Sequence, residues 1–267
     1  MNLKQAWIIM KTAWQRNLNY RFSVMAYRVG EMVEVLVVVL MWTAIYSNEM
    51  GTIKGFSMEE MITYVLVGNL CAVAARNFLT SYVSRDIELG RLSTFLIKPI
   101  SYIKYVFVNE LGRMFLSTII SVTTQAAIIV FFANKIVFNT DIRYLGIIVV
   151  MVFLAFIMEL LLSFSIGMIA FWTDEVDGIY TTIERVKRFF AGGYFPLSLL
   201  PASLAVASSY LPFAYSFFIP AQLYLKKIDL AQGIKGLVVQ VVWIILLSLI
   251  LAFIWKRGLK RYEATGM

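Results

Sequence analysis

The sequence predicts an all-α polytopic membrane protein, and three observations carry that prediction. Hydrophobic residues make up 60% of the 267 positions and charged residues 15%, whereas charged side chains alone approach a quarter of a soluble domain. Several apolar runs reach the length of about 20 residues that a bilayer-spanning helix needs. Finally, the stretch from Phe189 to Leu225 carries no charge and four of the five prolines, a pattern that suits neither a soluble loop nor one continuous helix. The chain reads as a single transmembrane domain over residues 1–267.

Residues 1–22 come first. Leu3, Trp7, Met10, Trp14 and Leu18 recur at three- and four-residue steps, with Lys4, Lys11 and Gln15 on another face. That periodicity predicts an amphipathic helix in the membrane interface, anchored by its tryptophans. It serves either as an anchor or as a lever that also touches a cytoplasmic partner. The segment lacks the apolar core and small-residue cleavage site of a signal peptide.

Six spans are expected, at about 24–47, 59–82, 106–133, 144–172, 178–196 and 234–255. The first carries Arg28, Glu31 and Glu34 in its opening turns, where Arg28 and Glu31 can pair at three-residue spacing. Cys71, the one cysteine, lies in an apolar run and reads as a packing residue. Arg76 and Glu110 fall near span ends and read as interfacial.

Lysine and arginine counts in short loops set the orientation. Residues 1–28 hold Lys4, Lys11, Arg16, Arg21 and Arg28 without an acid; residues 84–104 add Arg85, Arg91, Lys98 and Lys104; the tail adds Lys256, Arg257, Lys260 and Arg261. The 48–60 loop has Lys54 against Glu49, Glu59 and Glu60, and the 134–143 loop only Lys135 and Arg143 as bases. Both termini and the 84–104 loop are therefore expected on the cytoplasmic side. The net charge of +8 follows from this topology and anionic lipid, not from nucleic acid.

Composition also excludes chemistry. With no histidine and one cysteine, metal clusters, Cys-His chemistry and an internal disulfide are not expected. There is no GxxxxGK[ST] loop to cradle ATP phosphates. An intramembrane enzyme would lack its paired aspartates or metal, so no catalytic residue and no cofactor is assigned to the chain.

Two segments stand out as functional candidates. The loop Gly90-Arg91-Leu92-Ser93-Thr94-Phe95-Leu96-Ile97-Lys98-Pro99-Ile100-Ser101 reads as a short helix after a glycine break and before a proline stop. Leu92, Phe95 and Leu96 share one helical face, flanked by charge, which suits docking into a groove of another protein or lying along headgroups. The second is the proline-rich stretch: each proline inside a helix costs about 3 kcal/mol, so short helices at the outer face are expected over 196–225. Gly192 and Gly193 mark the break.

These two segments resemble bacterial type-2 ABC exporter permeases. The loop matches their G-x-L-x-x-x-L-x-(R/K)-P-(V/I)-(S/N) pattern, and Gly193, Pro196, Pro201 and Leu211-Pro212-Phe213 resemble their segment between spans five and six. The resemblance implies a permease in the bacterial cytoplasmic membrane, working as a homodimer or heterodimer with a second permease subunit and powered by cytoplasmic ATPase subunits that bind ATP and magnesium. It implies a coupling role for Glu88, Gly90, Arg91, Leu92, Phe95 and Leu96, with the N-terminal helix as a second contact. It also implies a re-entrant exit hairpin carrying Pro196, Pro201, Pro212 and Pro220.

One segment departs from that pattern. The fifth predicted span holds Glu184, Arg185, Lys187 and Arg188. Four charges at the bilayer centre would cost roughly 10 kcal/mol or more, against about 2.5–5 kcal/mol returned by the Ile, Val, Leu and Phe residues of 178–199. Either a helix projects into the cytoplasm and the span starts near Phe189, or the charges line an enclosed pathway, a cationic mouth for an anionic substrate or lipid headgroup. Glu184 and Arg188 have the four-residue spacing of a favourable pair. Glu159 lies within the fourth span among Phe156, Ile157, Leu160 and Leu161. Such a carboxylate is a functional candidate with an expected partner, here Arg113 or a fifth-span cation. It also frames the alternative of a stand-alone proton-coupled transporter.

Overall fold

The computed structural model describes residues 2–19, 21–48, 51–173 and 176–262, with side chains outside the description at 17–19, 21–25, 27–28, 48 and 115–117. The expected Arg28–Glu31 pair and the contributions of Leu18, Arg21 and Glu49 fall on positions outside it. The chain is 82% helical, with no strand among the described residues.

Helix α1 (Leu3–Asn19) is followed by α2 (Arg21–Asn48), α3 (Met58–Ala75) and α4 (Leu79–Glu88). A five-residue helix, α5 (Leu92–Leu96), leads to α6 (Tyr102–Phe131) and α7 (Ile142–Gly167). Beyond a 3-10 turn at Met168–Phe171 come α8 (Val176–Phe190), α9 (Ala202–Tyr210), α10 (Phe218–Tyr224) and α11 (Leu230–Arg261).

Local chemistry sets the ends. Ser57 and Glu60 form a reciprocal capping box that starts α3, and Asp229 with Gln232 does the same for α11, each satisfying two donors a helix start leaves orphaned. Asp141 caps α7 through the Arg143 amide. The apolar run 59–82 is not one helix. Arg76, Asn77 and Phe78 leave the helical path, and the Asn77 side chain accepts from the Leu79 amide to open α4.

Among the described residues, five stretches are long and apolar enough to cross a membrane: Val29–Ser47, Met58–Glu88, Tyr102–Phe131, Ile142–Phe171 and Leu230–Arg261. The fifth predicted span is not among them. In its place stands α8, with 15 residues, because the charge cluster that made insertion costly gives the helix a polar face.

Helix α7 is the axis of the bundle and packs against α3, α4, α8, α10 and α11. One apolar cluster gathers Leu79, Val83, Leu92, Tyr102, Phe164 and Phe171 near the 84–104 loop. A second joins Val39, Trp42, Met61, Tyr64 and Phe217 at the opposite end. Between them lie the charged side chains. Helix α1 runs along α6: Trp14 Nε1 donates to the Gly112 carbonyl at 2.6 Å, and Arg16 to Asn109 at 3.2 Å.

Candidate functional site

The charged face of α8 closes a cavity of about 410 Å³. Tyr180, Thr181, Glu184, Lys187 and Arg188 sit at the steps that bring side chains onto one helical face, and all line the cavity with Arg185. Glu34 on α2, Asn69 and Ala72 on α3, Arg76 and Glu159 complete the polar wall, and Phe213 and Phe217 the apolar one.

The charges are matched across helices. Lys187, 7% exposed, donates to Glu159 at 2.5 Å and to Glu184 at 2.7 Å. Arg188 pairs with Glu34 and stacks its guanidinium 4.9 Å from the Tyr194 ring centre. Arg76 reaches Glu31 at 2.6 Å. Of the 184–188 charges, Lys187 is buried, Glu184 and Arg188 are half-buried and Arg185 is exposed at the cavity's edge. The expected Glu184–Arg188 pair is not formed. Carboxylates on another helix or a closer turn compete with that spacing, so Glu184 takes Lys187 and Arg188 takes Glu34. Glu159 finds its partner on α8, not in Arg113, which instead binds Glu110 at 3.1 Å. Glu110 is 2% exposed, more enclosed than an interfacial reading implies.

Helix α8 ends where Gly192 and Gly193 predicted a break. Gly192 adopts φ +80°, a left-handed conformation that only glycine takes without strain. Three neighbours fix the turn. The Tyr64 hydroxyl donates to the Gly192 carbonyl at 2.7 Å, the Phe218 amide to Ala191 at 3.1 Å and Trp42 Nε1 to the Tyr194 carbonyl at 3.2 Å. A Cβ on Gly192 would lie 2.6 Å from the Tyr64 hydroxyl. Beyond the turn, every proline occupies a position that tolerates it. Pro196 and Pro201 precede the turn Leu197–Leu199 and α9, Pro212 opens the turn Pro212–Ser216, and Pro220 lies in the first turn of α10. None removes an interior helical hydrogen bond.

At the other end, Gly90 takes φ +69° and separates α4 from α5. Leu92 is fully buried, so its side chain anchors the loop and presents no surface to a partner. Phe95 packs between the rings of Tyr102 and Tyr105 at 5.2 and 5.0 Å. Tyr102 donates to Asp86 at 2.9 Å and stacks on Trp255 of α11, and the Ser93 amide donates to the Tyr262 hydroxyl at 3.2 Å. The large apolar side chains left exposed are Leu89, Leu96 and Ile97, the last 85% exposed, flanked by Glu88 and Arg91. The notional stripe of Leu92, Phe95 and Leu96 is thus split between anchor and surface, because a helix of five residues has no room for a regular apolar face.

Sequence reasoning did not assign roles to Asn69, Tyr64, Tyr262 or the pairing of Glu34. The signal for Glu34 was present in an acid that made the first span unclean. The others lie in apolar or terminal context with nothing local to mark them. Among the described residues no group of acidic or cysteine side chains is arranged to hold a metal ion.

The family model described as ABC-2 family transporter protein matches residues 32–266, and the chain belongs to that family. It is a multi-pass membrane protein and a permease of an ABC-type transporter. No curated protein sequence matches it.

Proposed function

We propose that this permease is the membrane subunit of an exporter driven by ATP hydrolysed, with magnesium, on separate cytoplasmic ATPase subunits. The observation that carries this reading is the division of labour in the loop between α4 and α6. Leu92 and Phe95 are locked into the cluster of Tyr102, Phe164, Phe171 and Trp255, while Leu96 and Ile97 stand out from it. A partner pushing on that apolar knob moves α6, α7 and α11 together, because a close-packed core transmits displacement and does not absorb it. Leu89, Leu96 and Ile97 replace Leu92 as the surface that enters the ATPase.

In this arrangement α8, the Gly192 turn and the short helices α9 and α10 form the sixth crossing, with α9 and α10 a re-entrant hairpin at the outer leaflet. Irregular backbone at membrane depth survives where protein covers it, and Tyr64, Trp42 and Phe218 supply that cover. Both termini and the 84–104 loop face the cytoplasm, α1 lies at the inner interface as a second ATPase contact, and a second permease subunit, identical or related, completes the pathway. Glu159, held by Lys187, is a structural partner here and not the proton carrier of a stand-alone transporter.

Co-purification with an ATPase encoded beside this chain tests the reading. Leu96→Asp and Ile97→Asp should abolish the association while the permease stays folded in the membrane. Retention of the ATPase by both variants would remove the proposal.

A further inference from the structure

The cavity beside α8 holds polarity that the protein itself does not use. Four basic and three acidic side chains line it. Arg76 is engaged by Glu31, Arg188 by Glu34, and Lys187 by Glu159 and Glu184 together. Two carboxylates on one ammonium leave one negative charge over. Arg185 lines the same cavity and has no ion pair or hydrogen bond among the described residues. Asn69, 6% exposed, faces it with an Nδ2 that has no acceptor. A buried amide donor without a partner is unusual in a folded protein and is satisfied when an acceptor arrives. The uncommitted groups are therefore one cation with an amide donor, and one surplus carboxylate. Phe213 and Phe217 supply an apolar wall.

We propose that this cavity binds a zwitterionic amphiphile. Its negative group sits on Arg185 and Asn69, its positive group on the carboxylates around Lys187, and its apolar part against Phe213 and Phe217. A purely anionic head leaves the surplus carboxylate without a partner, and a purely cationic head leaves Arg185 and the Asn69 amide without one, so a zwitterion alone satisfies both uncommitted groups. A volume of about 410 Å³ accommodates a small amphiphile, being within the usual range for ligand pockets. The chemistry is shared by a phosphoethanolamine lipid headgroup and by a free zwitterionic compound. The assignment rests on the permease reading for its purpose, not for its test.

The test is equilibrium dialysis of labelled decyl amphiphiles, each below its micellar concentration, against the full chain in phosphatidylcholine-free nanodiscs with empty discs as blank. Decyl sulfobetaine should bind at least tenfold tighter than decyl sulfate or decyltrimethylammonium. Arg185→Gln should turn the preference toward the cation, and Glu184→Gln toward the sulfate. Both side chains are partly exposed, so neither change threatens folding. Equal binding of sulfobetaine and lysophosphatidylethanolamine identifies a site open to free amphiphiles, and binding of the lysolipid tenfold tighter still than the sulfobetaine identifies a lipid headgroup; either supports the zwitterion. Equal or tighter binding of a singly charged head, or a ranking that both variants leave unchanged, overturns it. No ATPase is present in the assay, so a failed ATPase association strikes the exporter reading and leaves this result standing.

Discussion

The α8 cavity and the loop cluster around Leu92 each join several helices, yet they are built from opposite materials. At the cavity, order comes from matched charges: Lys187 between Glu159 and Glu184, Arg188 on Glu34, Arg76 on Glu31. At the loop it comes from shape, with Leu92, Phe95, Tyr102, Phe164 and Trp255 interlocked. A charge network has discrete alternative pairings and can be rearranged by a ligand that brings its own charge. An aromatic wedge has one good packing and passes on motion. The difference fits the exporter proposed above, in which the loop would receive force and the cavity would bind a charged ligand.

The strongest way to break this comparison is at Lys187. Lys187→Met leaves Glu159 buried without its cation and should destabilise the protein by about 3–5 kcal/mol, seen as a large fall in the thermal unfolding midpoint. Combining it with Glu159→Gln should recover most of the loss, since removing both charges also removes the desolvation penalty. If the double variant is no better than the single, the pair is not what stabilises this region.

The loop predicts a split of a different kind. Leu92→Ala opens a cavity in a packed core and should cost about 2–5 kcal/mol. Leu96→Ala, on the exposed side, should change stability by no more than about 0.5 kcal/mol while weakening stimulation of the partner ATPase. Should Leu92→Ala prove the milder of the two in unfolding, the anchor and the knob have been assigned the wrong way round.

The turn that ends α8 gives an intermediate effect. Gly192→Ala imposes a left-handed backbone on a residue with a Cβ and presses it on the Tyr64 hydroxyl. A cost of about 1–3 kcal/mol follows, and Tyr64→Phe in the same background should return part of it by clearing space. Unfolding midpoints of the two single variants and the double variant decide whether the turn or the contact dominates.

Much of this was legible in sequence because it is local. The apolar runs, the Gly192-Gly193 break, the prolines at helix starts and the Gly90 loop each announce themselves within a few residues. The pairings do not. Glu34 and Arg188 lie on helices far apart in the chain, so local spacing pointed Arg188 to Glu184, which is the wrong partner. The bend at Arg76 was hidden because apolar residues continue on both sides of it, and periodicity alone does not see a side-chain-to-backbone hydrogen bond such as that of Asn77 to the Leu79 amide. Leu92 misled for a third reason: three apolar residues in a single turn and a half share a face by arithmetic, whatever the rest of the fold does with them.

The smallest effect is expected outside both regions and serves as the baseline for them. Asp141, at the start of α7, accepts from the Arg143 side chain and amide, which together hold its carboxyl down at about 2 from an ordinary 3.8. A carboxyl depressed in the folded state stabilises it fully above the unfolded value and loses that contribution as pH falls through the folded one. Asp141→Asn keeps a capping oxygen and removes the charge. The unfolding midpoint of this variant should therefore lie slightly below the parent's at neutral pH, and the gap should close between about pH 4 and 2. A gap that persists below pH 2 would mean that cap geometry, not charge, distinguishes the two, and would leave the cavity as the part of the molecule where charge governs stability.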